Sequence, residues 1–102
     1  MLVDGQVIEG CNVENASFGL SMCAERVAAF SAVSRGLSTI TRAAVSCVDA
    51  PSGSSAPARM PCGACRQVLS ELGPPSMEVL VDGVGTFTLA ELLPDAFVLD
   101  AG

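Results

Sequence analysis

The chain has 102 residues, half of them hydrophobic but only four aromatic, with no Trp, Tyr or His and a formal net charge of −6. That length fits one domain, residues 1–102, whose core hides only about two-thirds of the unfolded surface, so support from a metal or from self-association is expected. The acidic balance excludes nonspecific binding to phosphate backbones, and no apolar run approaches the length of a membrane span. Five cysteines are an odd number; with no signal peptide they point to reduced thiols and a cytoplasmic protein.

In chain order, Asp4-Gly5 is a tight-turn signal, followed by a short strand at Val7 and Ile8. Only Met1–Val3 stand upstream, so the chain is expected to begin in the middle of a hairpin. Residues 11–20 read as extended chain and loop, in which Asn12 and Glu14 share one face and Val13 the other. Residues 21–35, SMCAERVAAFSAVSR, are Ala-rich and free of Gly and Pro. They predict a helix capped by Ser21, ended by Gly36 and facing inward through Val27, Phe30 and Val33 or Ser34. A buried strand is expected over residues 43–49, then a flexible loop over 51–59. Pro61 opens a second helix, roughly 61–72, with Cys62, Cys65, Leu69 and Leu72 on one face. Residues 78–82 make another strand, Asp82-Gly83 turns it, and 86–89 return. Thr88-Leu89-Ala90-Glu91 has capping-box form, predicting a brief helix that stops near Pro94. This alternation implies an α/β layer protein with a largely parallel sheet.

The chemistry lies in two cysteine motifs, Cys23-Ala24-Glu25 and Pro61-Cys62-Gly63-Ala64-Cys65. Both fall at predicted helix N-termini, where unpaired N–H groups and the helix dipole favour thiolates. Three thiolates on a zinc ion leave a fourth position open for water, the arrangement of a catalytic rather than a structural site. Glu25 is not needed as a ligand and is placed to move protons to and from that water. Three thiolates also leave excess negative charge, which a guanidinium offsets. Arg26 and Arg66 each follow directly on a motif, and Arg26 is the favoured partner. Cys11 and Cys47 read as small buried hydrophobes. A redox pair at Cys62 and Cys65, or a structural site completed by Cys47 or Cys11, are the competing readings.

Four blocks carry a resemblance: Asn12-Val13-Glu14-Asn15-Ala16-Ser17, Cys23-Ala24-Glu25-Arg26, Pro61-Cys62-Gly63-Ala64-Cys65-Arg66-Gln67-Val68, and Glu91-Leu92-Leu93-Pro94 with Phe97. In order and spacing the chain resembles the small homotetrameric zinc-dependent cytidine deaminases. The resemblance implies a three-layer α/β/α cytidine-deaminase-like fold with a mixed, largely parallel sheet, N-terminally shortened. The family ordinarily begins with a helix and a full first strand, of which this chain carries only the last residues. It further implies deamination of cytidine and deoxycytidine, with zinc on Cys23, Cys62 and Cys65 and with Glu25 as the proton carrier. Asn12 and Glu14 look like the pair that binds the ribose hydroxyl, and the backbone near Ala24 like a support for the base. Arg26 resembles the arginine that hydrogen-bonds the thiolates, and Phe97 the aromatic packed on the pyrimidine from a neighbouring subunit.

The expected partner is a small nucleoside, with neither nucleic acid nor membrane, in a homo-oligomer (a tetramer, or a dimer if the shortening disrupts it). The alternatives are a hydrolase of N4-modified cytidines or another aminated heterocycle, and a catalytically weak, zinc-stabilised assembly module. Glu25 separates the last from an enzyme, because a purely structural site has no use for it.

Overall fold

Asp4 and Gly5 both take positive φ, 48° and 80°, as a two-residue turn matched to strand twist requires. They join β1 (Leu2–Val3) to β2 (Gln6–Val7) as an antiparallel pair with Val3 opposite Gln6. The Asp4 carboxylate accepts from the backbone N–H groups of Ser38 (2.8 Å) and Thr39 (3.1 Å). The turn is thereby pinned to the start of the next strand. This is the computed structural model of the chain, and it describes residues 1–46 and 60–98. The expected loop at 51–59, Cys47 and the end of the strand expected at 43–49 lie outside the described residues.

Helix α1 spans Ala24–Ser34 and starts from an extended N-cap at Cys23. Ser21, the expected cap, instead takes a hydrogen bond on its Oγ from the Asn15 N–H at 2.9 Å. Gly36 ends the helix as expected, at φ 80°. The Gly36 N–H reaches the Val33 carbonyl and the Leu37 N–H the Ala32 carbonyl, both at 3.0 Å, which is a Schellman closure. The inward face differs from expectation: Ala28, Ala29 and Ala32 are buried, while Phe30 and Val33 are 47% and 51% exposed. The stripe of alanines lets the helix axis come close to the sheet and turns the bulkier side chains outward.

Strands β3 (Ile40–Val45), β4 (Glu78–Val81) and β5 (Gly85–Thr88) complete a five-stranded sheet ordered β2-β1-β3-β4-β5. Leu2 pairs with Arg42 but Val3 with Ile40, so Thr41 is an extra residue that resets the side-chain alternation. Ile40, Ala43 and Val45 are all buried. The fold is the expected α/β one with a mixed sheet, but that sheet is not largely parallel. Only β3 and β4 run parallel; the other three pairings are antiparallel. The β1–β2 and β4–β5 joins are tight turns. Helix α1 lies between β2 and β3, and β3 runs antiparallel to β1 because the first turn has already reversed the chain. Parallel strands need a crossover, and β3 and β4 are joined by one through a helix.

That crossover helix, α2 (Gly63–Leu72), uses Cys62 as its N-cap and ends at Gly73. A last short helix, α3 (Leu89–Leu92), starts from the predicted capping box, Thr88 with Glu91. Ala28, Ala29 and Ala32 of α1, Leu69 of α2, and Leu89 and Leu92 of α3 join Ile40, Met77, Val79 and Val81 in one cluster. The three α-helices of the described residues therefore cover the same sheet face. The opposite face carries Arg42 paired to Glu78 at 3.3 Å and a Leu80 that is 42% exposed. Among the described residues the layers thus number two rather than the three expected. Leu69 is fully buried at the centre of the cluster. Leu69→Ala should lower stability by about 2–5 kcal/mol, measured by urea denaturation of the metal-loaded protein.

Candidate metal centre and active site

The first turns of α1 and α2 meet, and their thiols meet with them. Cys23 caps α1, Cys62 caps α2, and Cys65 lies one turn into α2. The Sγ atoms of Cys23 and Cys62 are 3.9 Å apart, those of Cys62 and Cys65 3.2 Å, and all three lie within 4.8 Å of one another. Ligands on a tetrahedral ion with bonds near 2.3 Å are about 3.8 Å apart, so this trio needs only small adjustments to grip zinc. Soft sulfur donors in that number suit zinc over harder cations. Cys11 is exposed rather than buried and is not part of the trio. The reading of it as a small core residue is thereby corrected.

The helix starts do not treat the thiols alike. Burial works to raise Cys62, but the Cys65 N–H, the neighbouring thiols and the Ala64 N–H outweigh it and hold Cys62 below the ordinary thiol range. Cys65 goes far the other way, pushed up by burial and then by the nearby Glu25 carboxylate. The expectation that helix N-termini lower every thiol thus fails at Cys65, whose sulfur is turned into the core. A metal must displace its proton. Arg26 reaches back along α1, its Nη2 3.4 Å from the Cys23 Sγ. That hydrogen bond, with the proximity of Cys65, holds the guanidinium more firmly charged than usual. The Arg26 Nε is buried and has no hydrogen-bond partner among the described residues. Of the two arginines, Arg26 rather than Arg66 is thus the one hydrogen-bonded to a sulfur among the described residues.

The segment before α1 is laid directly across its first turn. A Cβ on Gly10 would sit 2.5 Å from the Ala24 carbonyl oxygen and 2.6 Å from the Ala28 nitrogen, so only glycine permits this approach. The Asn12 Oδ1 accepts the Ala24 N–H at 2.9 Å. Val13 and Met22 exchange two backbone bonds of 2.8 Å each. Asn12 therefore spends its carbonyl on the helix start, and its amide N–H groups have no partner among the described residues, while the Ala24 N–H is already taken. Glu14, on the same extended segment, is exposed. A cavity of about 630 Å³, within the size of small-molecule sites, borders Gly10, Ala24, Glu25, Val45 and Ser46. Phe97 is 68% exposed. Its carbonyl accepts from the Gln67 Nε2 at 3.0 Å. Gly10 and Gln67 were not singled out from sequence; a glycine within an extended segment is the signal that marks Gly10.

Three thiols at two helix starts with a spare carboxylate beside them, on a mixed α/β sheet, form the donor set of a zinc-dependent hydrolytic enzyme. The profile of the cytidine and deoxycytidylate deaminase zinc-binding region matches residues 1–81. The cytidine deaminase of Mycobacterium tuberculosis is 48% identical over 98 residues, covering 95% of this chain and 68% of that protein. The cytidine deaminase of Halalkalibacterium halodurans is 43% identical over 104 residues, covering 98% and 74%. The crystal structure of cytidine deaminase from Burkholderia pseudomallei superposes with a TM-score of 0.70 at 47% identity, covering 92% of this chain and 74% of that one. The chain belongs to the cytidine and deoxycytidylate deaminase family, and zinc is the metal its thiols fit.

Two variants probe this geometry. Gly10→Ala should force the 10–13 segment off α1 and cost about 1–3 kcal/mol, as overpacking does. Faster hydrogen exchange at the Ala24 amide would report the broken Asn12 bond. Cys65→Ala should purify without stoichiometric zinc and unfold at lower temperature, read by elemental analysis and calorimetry.

Proposed function

We propose that this chain is a single-domain cytidine deaminase, hydrolysing cytidine and deoxycytidine to uridine and deoxyuridine in cytoplasmic pyrimidine salvage. The observation that carries the reading is Glu25. It sits in the first turn of α1, close enough to Cys65 to raise that thiol, while three sulfurs already supply the protein ligands.

Cys23, Cys62 and Cys65 would hold zinc, which when bound would lower the pKa of water to about 7 and so supply a nucleophile at neutral pH. Glu25 takes the proton that water loses as its oxygen bonds to C4 of the base. The same carboxyl delivers that proton to N3, then takes the remaining proton from the hydroxyl on C4 and passes it to the exocyclic nitrogen, so that C4=O forms as the C4–N bond breaks and ammonia leaves. Arg26 keeps its charge against the sulfurs, so electron density there is offset as the reaction proceeds. Asn12 offers its amide N–H groups, and Glu14 its carboxylate, to the ribose hydroxyls. Ala24 lines the cavity, and its backbone there supports the base.

The chain's self-association, as a tetramer or a dimer, is part of this reading. The outward Phe30 and Val33 on α1 and the exposed Phe97 support it, since large apolar side chains on a soluble surface favour partners. Phe97 then reaches the pyrimidine of a neighbouring subunit.

Glu25→Gln should keep zinc and fold but lose cytidine turnover by about 10²–10⁴-fold, the usual worth of a positioned acid–base group. Ultraviolet-monitored deamination with zinc content measured in parallel checks it. Turnover that survives in E25Q would leave Glu25 without the assigned role.

A further inference from the structure

Arg66 follows Cys65 directly, yet its side chain makes no hydrogen bond to a sulfur among the described residues. The Arg66 Nε donates to the Pro61 carbonyl at 2.9 Å and the Nη1 to the Leu92 carbonyl at 2.8 Å. Pro61 immediately precedes Cys62, and its carbonyl belongs to the peptide unit that carries the Cys62 nitrogen. Rotation of that peptide would swing the thiol that caps α2. Leu92 is the last residue of α3, where carbonyls have no partner within the helix. One half-buried guanidinium therefore spans the entrance to the Cys62–Cys65 turn and the exit of a different helix.

The planar fork suits this task. It presents several N–H donors in fixed directions, so two carbonyls held at once fix the distance between their segments. The turn contributes its own contact, the Cys65 N–H lying 3.5 Å from the Cys62 Sγ, but nothing in the turn restrains the Pro61 carbonyl. The next side chain extends the arrangement, with Gln67 holding the Phe97 carbonyl. Two consecutive residues of α2 thus tie the metal-ligand turn to the chain running from Leu92 to Phe97.

We propose that Arg66 is a positioning residue for the zinc site: it fixes the Cys62 thiol by clamping the Pro61 carbonyl against the end of α3. The proposal deepens the zinc-site reading above but does not depend on which substrate is turned over.

The test is made on the metal and needs no substrate. Zinc affinity by chelator competition, and the thiolate-to-cobalt charge-transfer bands of the Co²⁺-loaded protein, are measured for wild type, R66A, R66K and L69A. Outer partners of metal ligands are typically worth about 10–100-fold in affinity. R66A should therefore bind zinc at least about tenfold more weakly, with shifted or broadened cobalt bands, at unchanged far-ultraviolet circular dichroism. R66K, which reaches one carbonyl at a time, should fall between R66A and wild type. L69A, destabilised one turn further along α2, should keep the wild-type cobalt spectrum. Wild-type affinity and bands in R66A overturn the proposal, as does an L69A protein that loses zinc affinity to the same degree. If R66A does not fold, R66K decides alone: unchanged affinity and bands overturn the proposal, and an intermediate loss bears it out. A wild-type protein that binds zinc but does not deaminate cytidine would remove the substrate assignment and leave this comparison standing.

Discussion

The structure depends on the contact between the first turns of α1 and α2. Each helix packs on the same sheet face through its own stripe, alanines in α1 and Leu69 in α2. Because the crossover between β3 and β4 carries α2 to that face, the two N-termini arrive side by side. The ends of helices have backbone groups to satisfy and a partial positive charge to offset. Here sulfur meets part of that need: the Cys62 Sγ accepts from α2, while Asn12 caps α1 from outside. The metal site is thus built from the places where the backbone already seeks an acceptor.

The centre also separates its sulfurs by environment. Cys62 is exposed and stabilised as a thiolate by N–H groups, whereas Cys65 is buried beside a carboxylate. Arg26 makes the crowding tolerable from one side. A neutral side chain at that position would leave the sulfurs and Glu25 as an uncompensated cluster of like charge, which low-dielectric surroundings penalise.

Much of this was legible in the chain itself, for identifiable reasons. Asp4-Gly5, the Thr88/Glu91 capping box and the Gly36 closure are local devices whose residue types are dictated by a few backbone angles, and each stands where the residues place it. The cysteine trio was readable because its spacing and helix-start positions are themselves the chemistry. What could not be read depended on depth and neighbours. Periodicity ranks Phe30 and Val33 above alanine, but how closely a helix approaches a sheet is a three-dimensional matter, and close approach selects Ala28, Ala29 and Ala32. Strand direction likewise follows from which strands become neighbours, since β3 lies beside β1 rather than β2, and Thr41 as an extra residue in β3 leaves no mark in an alternation pattern. Gly10 and Arg66 act on carbonyls contributed by other elements, and a carbonyl has no sequence letter.

The sulfurs of Cys23 and Cys62 are 39 residues apart along the chain. A shared metal makes that interval a closed ring, in the manner of a disulfide. In the chain-entropy model, closing a ring of that size withdraws about 4 kcal/mol of freedom from the unfolded ensemble. For a chain with a core this modest, that is a large share of ordinary domain stability. The same staple that readies the protein for chemistry thus restricts the states into which it could come apart. Chelation acts on both at once: it opens the ring as it empties the site.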